Sequence, residues 1–246
     1  MDYKKYKSVK ILNDNLSNNM ALVSCKGFKF KIRKDKIDAF TVDEVFKCGY
    51  FKNLKLNKND IVLDVGMNIG VFAIAASKLC KKVIAYEPDV INFNLAKENL
   101  RLNNISNVEI YNKAIAKESG ELKLYINSGV CTDCHSTLEI KGRKFVTIQS
   151  ESLNNIIKKH NPNKLKIDCE GEELNFMADA KLENITSIAM EVHFAYSYRD
   201  KHLKYNYLLE NIKKHFYNIK NPKINDRFSR MFFADNNKSE YKIFDK

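Results

Sequence analysis

The chain carries Ile61-Val62-Leu63-Asp64-Val65-Gly66-Met67-Asn68-Ile69-Gly70. The apolar run predicts a buried strand, the two glycines predict a turn, and the apolar residues after Gly70 predict a helix. A second apolar run ends at Tyr86 and is followed by Glu87, about twenty residues on, where nucleotide-binding sheets place a carboxylate for ribose hydroxyls. Together the two signals predict a site for a cofactor that contains a nucleoside.

The glycine spacing and the local charge distinguish between cofactor classes. Dinucleotide sites use Gly-x-Gly-x-x-Gly, so that a pyrophosphate meets bare backbone amides at a helix N-terminus. This turn has only Gly66 and Gly70, with Asn68 between them, and Asp64 would repel a pyrophosphate but attract a cation. S-adenosylmethionine (SAM), which carries an ammonium and a sulfonium, is therefore the predicted cofactor. The alternative is an ordinary strand-to-helix turn capped by the aspartate.

Length and composition fit one α/β catalytic unit. The chain has 246 residues, of which 44% are hydrophobic, enough for a single core. No apolar run approaches the length of a membrane span and the first residues are polar, so we expect no membrane span, no signal peptide and a cytoplasmic location. The six cysteines have no framework spacing, which favours reduced thiols. Oligomeric state is not predicted.

The net charge of +12 raises the question of an anionic partner such as RNA or a phosphorylated glycan. Lysines are spread along the whole chain together with abundant Asn and Ile, which indicates an AT-rich genome more than a binding patch. Nucleic acid is therefore kept as the lesser alternative to a small-molecule or glycan partner.

The pattern of elements predicts two parts. Residues 1–57 form an N-terminal extension, with a hairpin over 21–32 and a helical segment near 41–48, and residues 58–246 form the catalytic domain. In the second part, strands at 61–65, 82–86 and 108–111 alternate with helices at 70–79 and 89–102, which predicts parallel strands. The last helix has an apolar stripe of Val90, Phe93, Ala96 and Leu100, widened by Ile91 and Leu95, with Asp89 as its cap.

The second half of the chain predicts the other elements. Strands at 122–126 and 145–148 flank an irregular insert over 127–144, and a helix over 153–159 precedes a buried strand at 165–168. A strand over 185–192 follows, then a helix with Leu203, Tyr207, Leu208, Ile212 and Phe216 on its apolar face, then a hairpin of 230–234 with 241–244. Asp168 and Glu191 thus lie at carboxyl ends of strands, where open α/β sheets bind ligands.

Four segments together resemble the FkbM family of class I SAM-dependent methyltransferases. They are residues 64–70, Tyr86-Glu87-Pro88, Asn112-Lys113-Ala114-Ile115 and Lys166-Ile167-Asp168-Cys169-Glu170-Gly171-Glu172-Glu173. The last is the most specific, since many methyltransferases share the first. The resemblance spans about residues 50–193 and implies a Rossmann-like α/β fold, with a mostly parallel seven-stranded sheet flanked by helices. It also implies methyl transfer, commonly to a hydroxyl oxygen of a sugar or other small metabolite.

The resemblance assigns roles by position. Asp64, Gly66, Asn68 and Gly70 would surround the methionine and ribose of SAM, Glu87 would accept both ribose hydroxyls, and Asp168 would lie near the methyl group. Many class I enzymes have an Asp after the third core strand that recognises adenine. This chain has Asn112 and Lys113 there, so adenine recognition would rest on Asn112 or on backbone near Ala114. The N-terminal extension and the insert are expected to shape the acceptor site.

Methyl transfer is an in-line displacement, so positioning supplies much of the rate and a base need only remove a hydroxyl proton. The candidates for that base are Asp168, Glu170, Glu191 and His193. A divalent cation is not predicted, but the same four side chains have donors that could bind one. Glu172 and Glu173 are interpreted as first-turn helix carboxylates, and Cys169 as a core residue.

One further motif and two rival functions stay open. Cys131-Thr132-Asp133-Cys134-His135 matches the pattern of c-type haem attachment, but coincidence in a substrate-facing loop is preferred. The predicted function is SAM-dependent O-methylation of a sugar, glycan or small metabolite. The alternatives are ribose 2'-O-methylation of RNA and a noncatalytic SAM-binding module.

Overall fold

The computed structural model describes residues 3–17, 19–129, 134–194, 200–220 and 229–236. Its N-terminal part is a small antiparallel sheet with two helices: β1 (Lys10–Asn13), β2 (Met20–Cys25), β3 (Phe28–Arg33), α1 (Asp38–Val45) and α2 (Tyr50–Leu54). The hairpin predicted over 21–32 is confirmed by the pairing of β2 with β3. The helix predicted near 41–48 begins earlier, at Asp38, whose buried carboxylate accepts hydrogen bonds from the backbone and side chain of Arg33.

Strands and helices then alternate as predicted. They are β4 (Ile61–Val65), α3 (Val71–Ser77), β5 (Lys82–Tyr86), α4 (Val90–Leu102) and β6 (Val108–Tyr111). β4, β5 and β6 pair in parallel, which confirms the βαβαβ series. Asp89 caps α4 as predicted, because its side chain accepts hydrogen bonds from the backbone nitrogens of Ile91 and Asn92.

The apolar stripe predicted for α4 is only partly correct. Val90 and Ile91 are 55% and 63% exposed, whereas Leu95 and Leu100 are buried. The N-terminal sheet contacts α4 through polar groups: Asn99 accepts a hydrogen bond from the backbone nitrogen of Lys31 and is fully buried. The buried face of α4 therefore includes asparagines, which a pattern of apolar residues does not detect.

A three-stranded sheet follows, made of β7 (Ala114–Ala116), β8 (Gly120–Tyr125) and β9 (Phe145–Ser152), and then α5 (Leu153–His160). Strands predicted at 122–126 and 145–148 are present, and the second continues to Ser152. β7, which pairs with the later half of β9, is not predicted, because three apolar residues are too short for a periodic signal.

The C-terminal elements are β10 (Lys164–Ile167), α6 (Glu173–Phe176), β11 (Ser187–His193), α7 (Lys201–His215), β12 (Asn218–Lys220) and β13 (Ser229–Asp235). The predicted strand over 230–234 is present, while its predicted partner, 241–244, lies outside the described residues. Leu203 and Tyr207, predicted on the apolar face of α7, are each 51% exposed. Leu208, Ile212 and Phe216 are buried as predicted, and the buried face also includes Tyr205, which was not predicted.

The main sheet has seven strands in the order β12-β13-β11-β10-β4-β5-β6. Four of its neighbouring pairs are parallel and the two that involve β13 are antiparallel, so the sheet is mixed. The carboxyl ends of β4, β5, β10 and β11 meet at one edge, which brings residues 66, 87, 168 and 193 close together. This is the edge at which open α/β sheets bind ligands.

The N-terminal sheet shares a hydrophobic core with the main sheet's helices. Val23 and Phe30 pack in one cluster with Ile69, Ile74 and Leu95. The division of the chain after residue 57 stays a prediction. Within the described ranges, no helix is both long enough and apolar enough to cross a bilayer.

Candidate active site

The glycine turn between β4 and α3 is held from two sides. The backbone nitrogens of Gly66 and Met67 both donate to the carbonyl oxygen of Tyr86, at 3.1 and 2.9 Å. Gly66 has a φ of +77°, and a Cβ at this position would lie 1.7 Å from the carbonyl oxygen of Asp168. Only glycine fits, so the backbone of the turn lies directly against the end of β10.

Glu87 follows β5 and is only 6% exposed. Its two carboxylate oxygens accept hydrogen bonds from the backbone nitrogens of Asn68, at 2.8 Å, and Asp89, at 3.0 Å. Burial raises the pKa of Glu87 to about 7, although the two amide hydrogen bonds oppose this shift. Each oxygen retains a further lone pair, so the carboxylate can still accept hydrogen bonds from a ligand hydroxyl.

An open cleft with an empty volume of about 630 Å³ lies beside this carboxylate, and we name it the Glu87 cleft. Five of the predicted cofactor residues line it, namely Gly66, Asn68, Glu87, Ala114 and Asp168. Glu170, a predicted catalytic residue, also lines it. Lys113, His135 and Thr137 also lie on its wall, although the sequence analysis assigned none of them to the site.

Asp64, another predicted cofactor residue, is fully buried beneath the turn. The Nζ of Lys166 lies 3.2 Å from Oδ1 of Asp64 and donates a 2.7 Å hydrogen bond to the carbonyl oxygen of Gly66. Burial raises the pKa of Asp64 to about 6 against the opposing charge of Lys166. Lys166 was not predicted as a site residue, because the strand Lys164–Ile167 contains two lysines and its sequence does not show which of them is paired.

Gly70 and Asn112 also lie off the surface of the cleft. Gly70 has a φ of +87° and precedes α3, where a Cβ would lie 3.2 Å from the Cβ of Ala96. The Nδ2 of Asn112 donates to the carbonyl oxygens of Glu87 and Pro88, at 2.9 and 3.0 Å. In the structure these two residues shape the backbone around the cleft.

A second cavity, with an empty volume of about 630 Å³, lies on the other side of Asp168, and we name it the Tyr50 cavity. Its wall includes Thr41, Glu44, Val45, Cys48, Tyr50, Phe72, Lys166, Glu191 and Met231. Gly66, Asn68 and Asp168 line both spaces. The hydroxyl of Tyr50 donates to Oδ2 of Asp168 at 3.3 Å. Groups held in the two spaces would therefore meet beside Asp168.

The predicted catalytic residues come together at this junction. His193 is 6% exposed, and its Nε2 lies 3.5 Å from Oε1 of Glu170 and 4.0 Å from Oε1 of Glu191. Asp168 and Glu191 line the Tyr50 cavity, whereas His193 lies behind them. The structure thus brings the four side chains close together, while their catalytic roles stay a prediction.

Glu173 is a member of the site that the sequence interpretation missed. It begins α6 as expected, but its carboxylate is fully buried instead of solvated. Its Oε1 accepts a 2.6 Å hydrogen bond from the backbone nitrogen of His193 and lies 3.1 Å from Nδ1 of the same residue. Burial alone would lower the pKa of His193, but Glu173 and Glu170 raise it well above the usual value. Glu172, by contrast, accepts hydrogen bonds from Thr137 and Asn175.

Glu191 is half-buried at the wall of the Tyr50 cavity. The hydroxyl of Ser229 donates to its Oε1. Burial and the nearby Asp168 carboxylate raise the pKa of Glu191 to about 7, while His193 and Ser229 lower it. A carboxylate with a pKa near neutrality is suited to accept a proton at physiological pH.

The insert closes one side of the Glu87 cleft in its described residues, 127–129 and 134–144. The hydroxyl of Ser136, which is fully buried, donates a 2.7 Å hydrogen bond to the carbonyl oxygen of Glu170. His135 lies beside it, with Nε2 3.9 Å from Oδ2 of Asp89, and burial lowers the pKa of its imidazole. The N-terminal extension, in contrast, lines the Tyr50 cavity through α1 and α2.

The five cysteines that the structure describes are free thiols: Cys25, Cys48, Cys80, Cys134 and Cys169. Cys169 packs against the main core, and its Sγ donates to Oε2 of Glu173 at 3.3 Å. Burial raises its pKa well above the usual value, so the sulfur is a thiol and not a nucleophilic thiolate. Residues 131–133 of the motif at 131–135 lie outside the described residues.

A cleft with a buried carboxylate at the carboxyl edge of a largely parallel sheet is typical of α/β enzymes that use a nucleoside cofactor. The model of a family described as the methyltransferase FkbM domain matches residues 64–226 of this chain, well over half of its length. The chain belongs to the FkbM methyltransferase family.

Other known proteins share shorter segments with this chain. An uncharacterized protein of Methanocaldococcus jannaschii is 40% identical over 67 residues, which cover 26% of each chain. Ribosomal protein L11 methyltransferase of Thermoanaerobacter pseudethanolicus is 37% identical over 59 residues, 24% of this chain and 19% of that protein. The chain thus matches about a quarter or less of the length of these relatives.

A ribosomal protein L11 methylase from Lactobacillus delbrueckii subsp. bulgaricus is similar in structure. Its crystal structure superimposes with a TM-score of 0.43 and 13% identity over 80% of each chain.

Proposed function

We propose that this methyltransferase transfers the methyl group of SAM to a hydroxyl oxygen of a small molecule, such as a sugar or another polyhydroxylated metabolite. The observation that carries the proposal is the meeting of two cavities at Asp168, one lined by Glu87 and the other by Glu191. One cavity would hold the cofactor and the other the acceptor, which is the arrangement that an in-line displacement requires.

The Glu87 cleft has the donors and acceptors that SAM needs. The carboxylate of Glu87 has free lone pairs for the two ribose hydroxyls. Oδ1 of Asn68 is buried and has no hydrogen-bond partner among the described residues, so it is available to a cofactor ammonium or hydroxyl. Gly66 also lines the cleft, with its backbone held against Asp168. When bound, SAM supplies an electrophilic methyl group on its sulfonium.

The chain's own residues would then position the acceptor and take its proton. Tyr50 and Phe72 form an aromatic wall against which an apolar sugar face or a ring can pack. Glu191 and Asp168 would accept hydrogen bonds from the acceptor hydroxyl. We assign proton removal to Glu191, because it faces the cavity, whereas both ring nitrogens of His193 face carboxylates.

The charge of the Tyr50 cavity favours an uncharged or cationic acceptor. Glu44, Asp168 and Glu191 contribute three carboxylates, against the single ammonium of Lys166. A carboxylate-rich wall repels phosphates, so RNA is the less suitable acceptor despite the net positive charge of the chain.

The proposal is tested by incubating the protein with SAM and separate pools of polyhydroxylated metabolites, glycans and RNA. S-adenosylhomocysteine release and the methylated product are both followed by mass spectrometry. An O-methylated small molecule or glycan, formed by the wild type and not by Glu191→Gln, is the expected result. Methylation of ribose hydroxyls in RNA with strong salt dependence would replace the acceptor assignment. SAM binding without turnover on any pool would indicate a noncatalytic binding module.

A further inference from the structure

Three donor atoms of two chemical kinds converge at the junction of the cavities. A carboxylate oxygen of Asp168, a carboxylate oxygen of Glu170 and a ring nitrogen of His193 all lie within 4.8 Å of one another. Ligands that share one small cation at about 2.1 Å each are roughly 3 to 4.2 Å apart. The closest measured pair, Nε2 of His193 and Oε1 of Glu170, is 3.5 Å apart. The three side chains thus need only a small inward movement to share one ion.

The orientation of His193 is a separate observation that points to a ligand. Oε1 of the buried Glu173 lies 3.1 Å from Nδ1, which directs Nε2 toward Glu170 and away from the core. Glu173 is itself fixed, because its Oε2 accepts a 2.9 Å hydrogen bond from the backbone nitrogen of Gly171. A carboxylate on the second ring nitrogen is the arrangement that orients metal-ligating histidines.

The balance of charge around His193 also favours a cation. Glu191 lies 4.0 Å from Nε2 on the remaining side, so Asp168, Glu170 and Glu191 surround one imidazole edge. The Nζ of Lys166 is 3.8 Å from Oδ2 of Asp168, but it lies closer, at 3.2 Å, to Oδ1 of Asp64 on the neighbouring strand β4. A divalent ion at the centre of this group would relieve the mutual repulsion of the carboxylates.

We propose that Asp168, Glu170 and His193 form a site for one divalent transition-metal cation, and Asp168 is the ligand that also lines the Tyr50 cavity. Imidazole together with carboxylates suits Mn²⁺, Fe²⁺ or Zn²⁺ better than Ca²⁺ or Mg²⁺. Glu191 lies next to the site and faces the acceptor, so it stays available as the base.

The role of this ion rests on the proposed function and narrows the acceptor class. A cation with two open positions binds two neighbouring oxygens, so the acceptor would be a vicinal diol or an ortho-dihydroxy aromatic. Binding to the cation acidifies the hydroxyl. Its proton passes to Glu191, the new O–CH₃ bond forms as the S–CH₃ bond breaks, and the products are the methyl ether and S-adenosylhomocysteine.

Manganese is the best probe, because thiolates elsewhere in the chain would compete for zinc. The full-length protein, stripped with EDTA and dialysed, is titrated with Mn²⁺ by electron paramagnetic resonance and calorimetry. We expect one bound ion per chain, with affinity reduced at least tenfold in Glu170→Gln and in His193→Gln. Glu173→Gln should weaken binding by about 10- to 100-fold through the orientation of His193.

Glu172→Gln is the matched control, because this neighbouring carboxylate bonds to Thr137 and Asn175, outside the three-residue set. Its Mn²⁺ affinity should stay within twofold of the wild type. Thermal unfolding and S-adenosylhomocysteine binding without metal establish that each variant is folded. Glu170→Gln serves as the near-isosteric variant if His193→Gln does not fold.

Two results would overturn the metal site: no stoichiometric Mn²⁺ binding by the folded wild type, or equal affinity in Glu170→Gln and the wild type. The proposed function is assessed separately. Methyl transfer to a hydroxyl at full rate in excess EDTA would retain that function and reject the metal. Stoichiometric Mn²⁺ binding without turnover on any hydroxyl would support the metal and reject the function.

Discussion

The carbonyl oxygen of Asp168 occupies the space in which a side chain on Gly66 would begin, 1.7 Å from the position of its Cβ. The glycine turn and the acidic strand end are therefore in direct backbone contact, although about a hundred residues separate them in sequence. This contact places the predicted cofactor turn beside the candidate catalytic carboxylate.

Gly66→Ala should disrupt this contact. The overlap with backbone cannot be relieved by a side-chain rotation, and the positive φ adds about 1–2 kcal/mol of strain. We expect loss of SAM binding and a fall of several kcal/mol in the free energy of unfolding, measured by calorimetry and urea denaturation. Gly27→Ala is the matched control, because Gly27 has a φ of +86° but nothing within 4 Å of a Cβ. Equal losses in the two variants would show that the contact with Asp168 is unimportant.

Glu87→Gln should weaken SAM binding without unfolding the protein. The amide retains one oxygen as an acceptor, but it loses the charge-assisted hydrogen bonds to the ribose, each worth about 1.5–3 kcal/mol. We expect a rise in Kd of about 100-fold by calorimetry. Glu98→Gln, on the exposed side of α4, removes a carboxylate that pairs with Lys31 on the protein surface and should leave the Kd unchanged. Wild-type affinity in Glu87→Gln would remove the cofactor-site assignment.

SAM affinity should depend on pH through the same carboxylate. Burial raises the pKa of Glu87 to about 7, and the ionised form is the better acceptor for ribose hydroxyls. Affinity should therefore rise with pH, by about tenfold between pH 6 and pH 8, with release of a proton on binding below that pKa. Asp89 lies next to Glu87, and the other titratable groups of the described residues that line the cleft are Tyr86, Lys113, His135, Asp168, Cys169, Glu170 and Glu172. In Glu87→Gln the remaining pH dependence should come from those groups and the cofactor alone, and an unchanged profile would contradict the prediction.

His193→Ala should destabilise the fold as well as impair turnover. As a candidate base from the sequence, His193 would on replacement reduce turnover and spare SAM binding, but the structure pairs it with a fully buried carboxylate. Removal of one partner from a buried pair typically costs about 3–5 kcal/mol. Urea denaturation should show this loss in His193→Ala and its partial recovery in the double variant His193→Leu/Glu173→Leu. His202→Ala, at an exposed position of α7, should change nothing. A single variant as stable as the wild type would show that the pair is not required.

The core of the nucleotide-binding sheet could be predicted from sequence almost to the residue. β4, β5 and β6 have the predicted bounds, because continuous apolar runs of about five residues between turn signals identify buried parallel strands. The predicted catalytic cluster also converges, since carboxyl ends of parallel strands share one edge. Both results depend only on local pattern and on a general rule of sheet topology.

Buried polar residues could not be predicted in the same way. Lys166 is buried because Gly66, a hundred positions earlier, accepts its hydrogen bond, and Glu173 is buried because His193, twenty positions later, neutralises it. A prediction of burial that relies on apolar residues alone places such side chains in solvent. The same limit explains α4, where buried Asn99 bonds to the N-terminal hairpin and the predicted stripe is displaced.

Glu191→Gln should separate proton removal from cofactor binding. Glu191 lines the Tyr50 cavity but not the Glu87 cleft, so SAM affinity by calorimetry should stay within about twofold of the wild type. Loss of a general base typically lowers kcat by about 10²–10⁴-fold. Ser229→Ala removes only the hydroxyl that donates to Glu191, so its kcat should fall by less than tenfold. If Glu191→Gln turned over at the wild-type rate while Asp168→Asn lost turnover and still bound SAM, the base would be Asp168. The acceptor proton would then leave on the cofactor side of the junction.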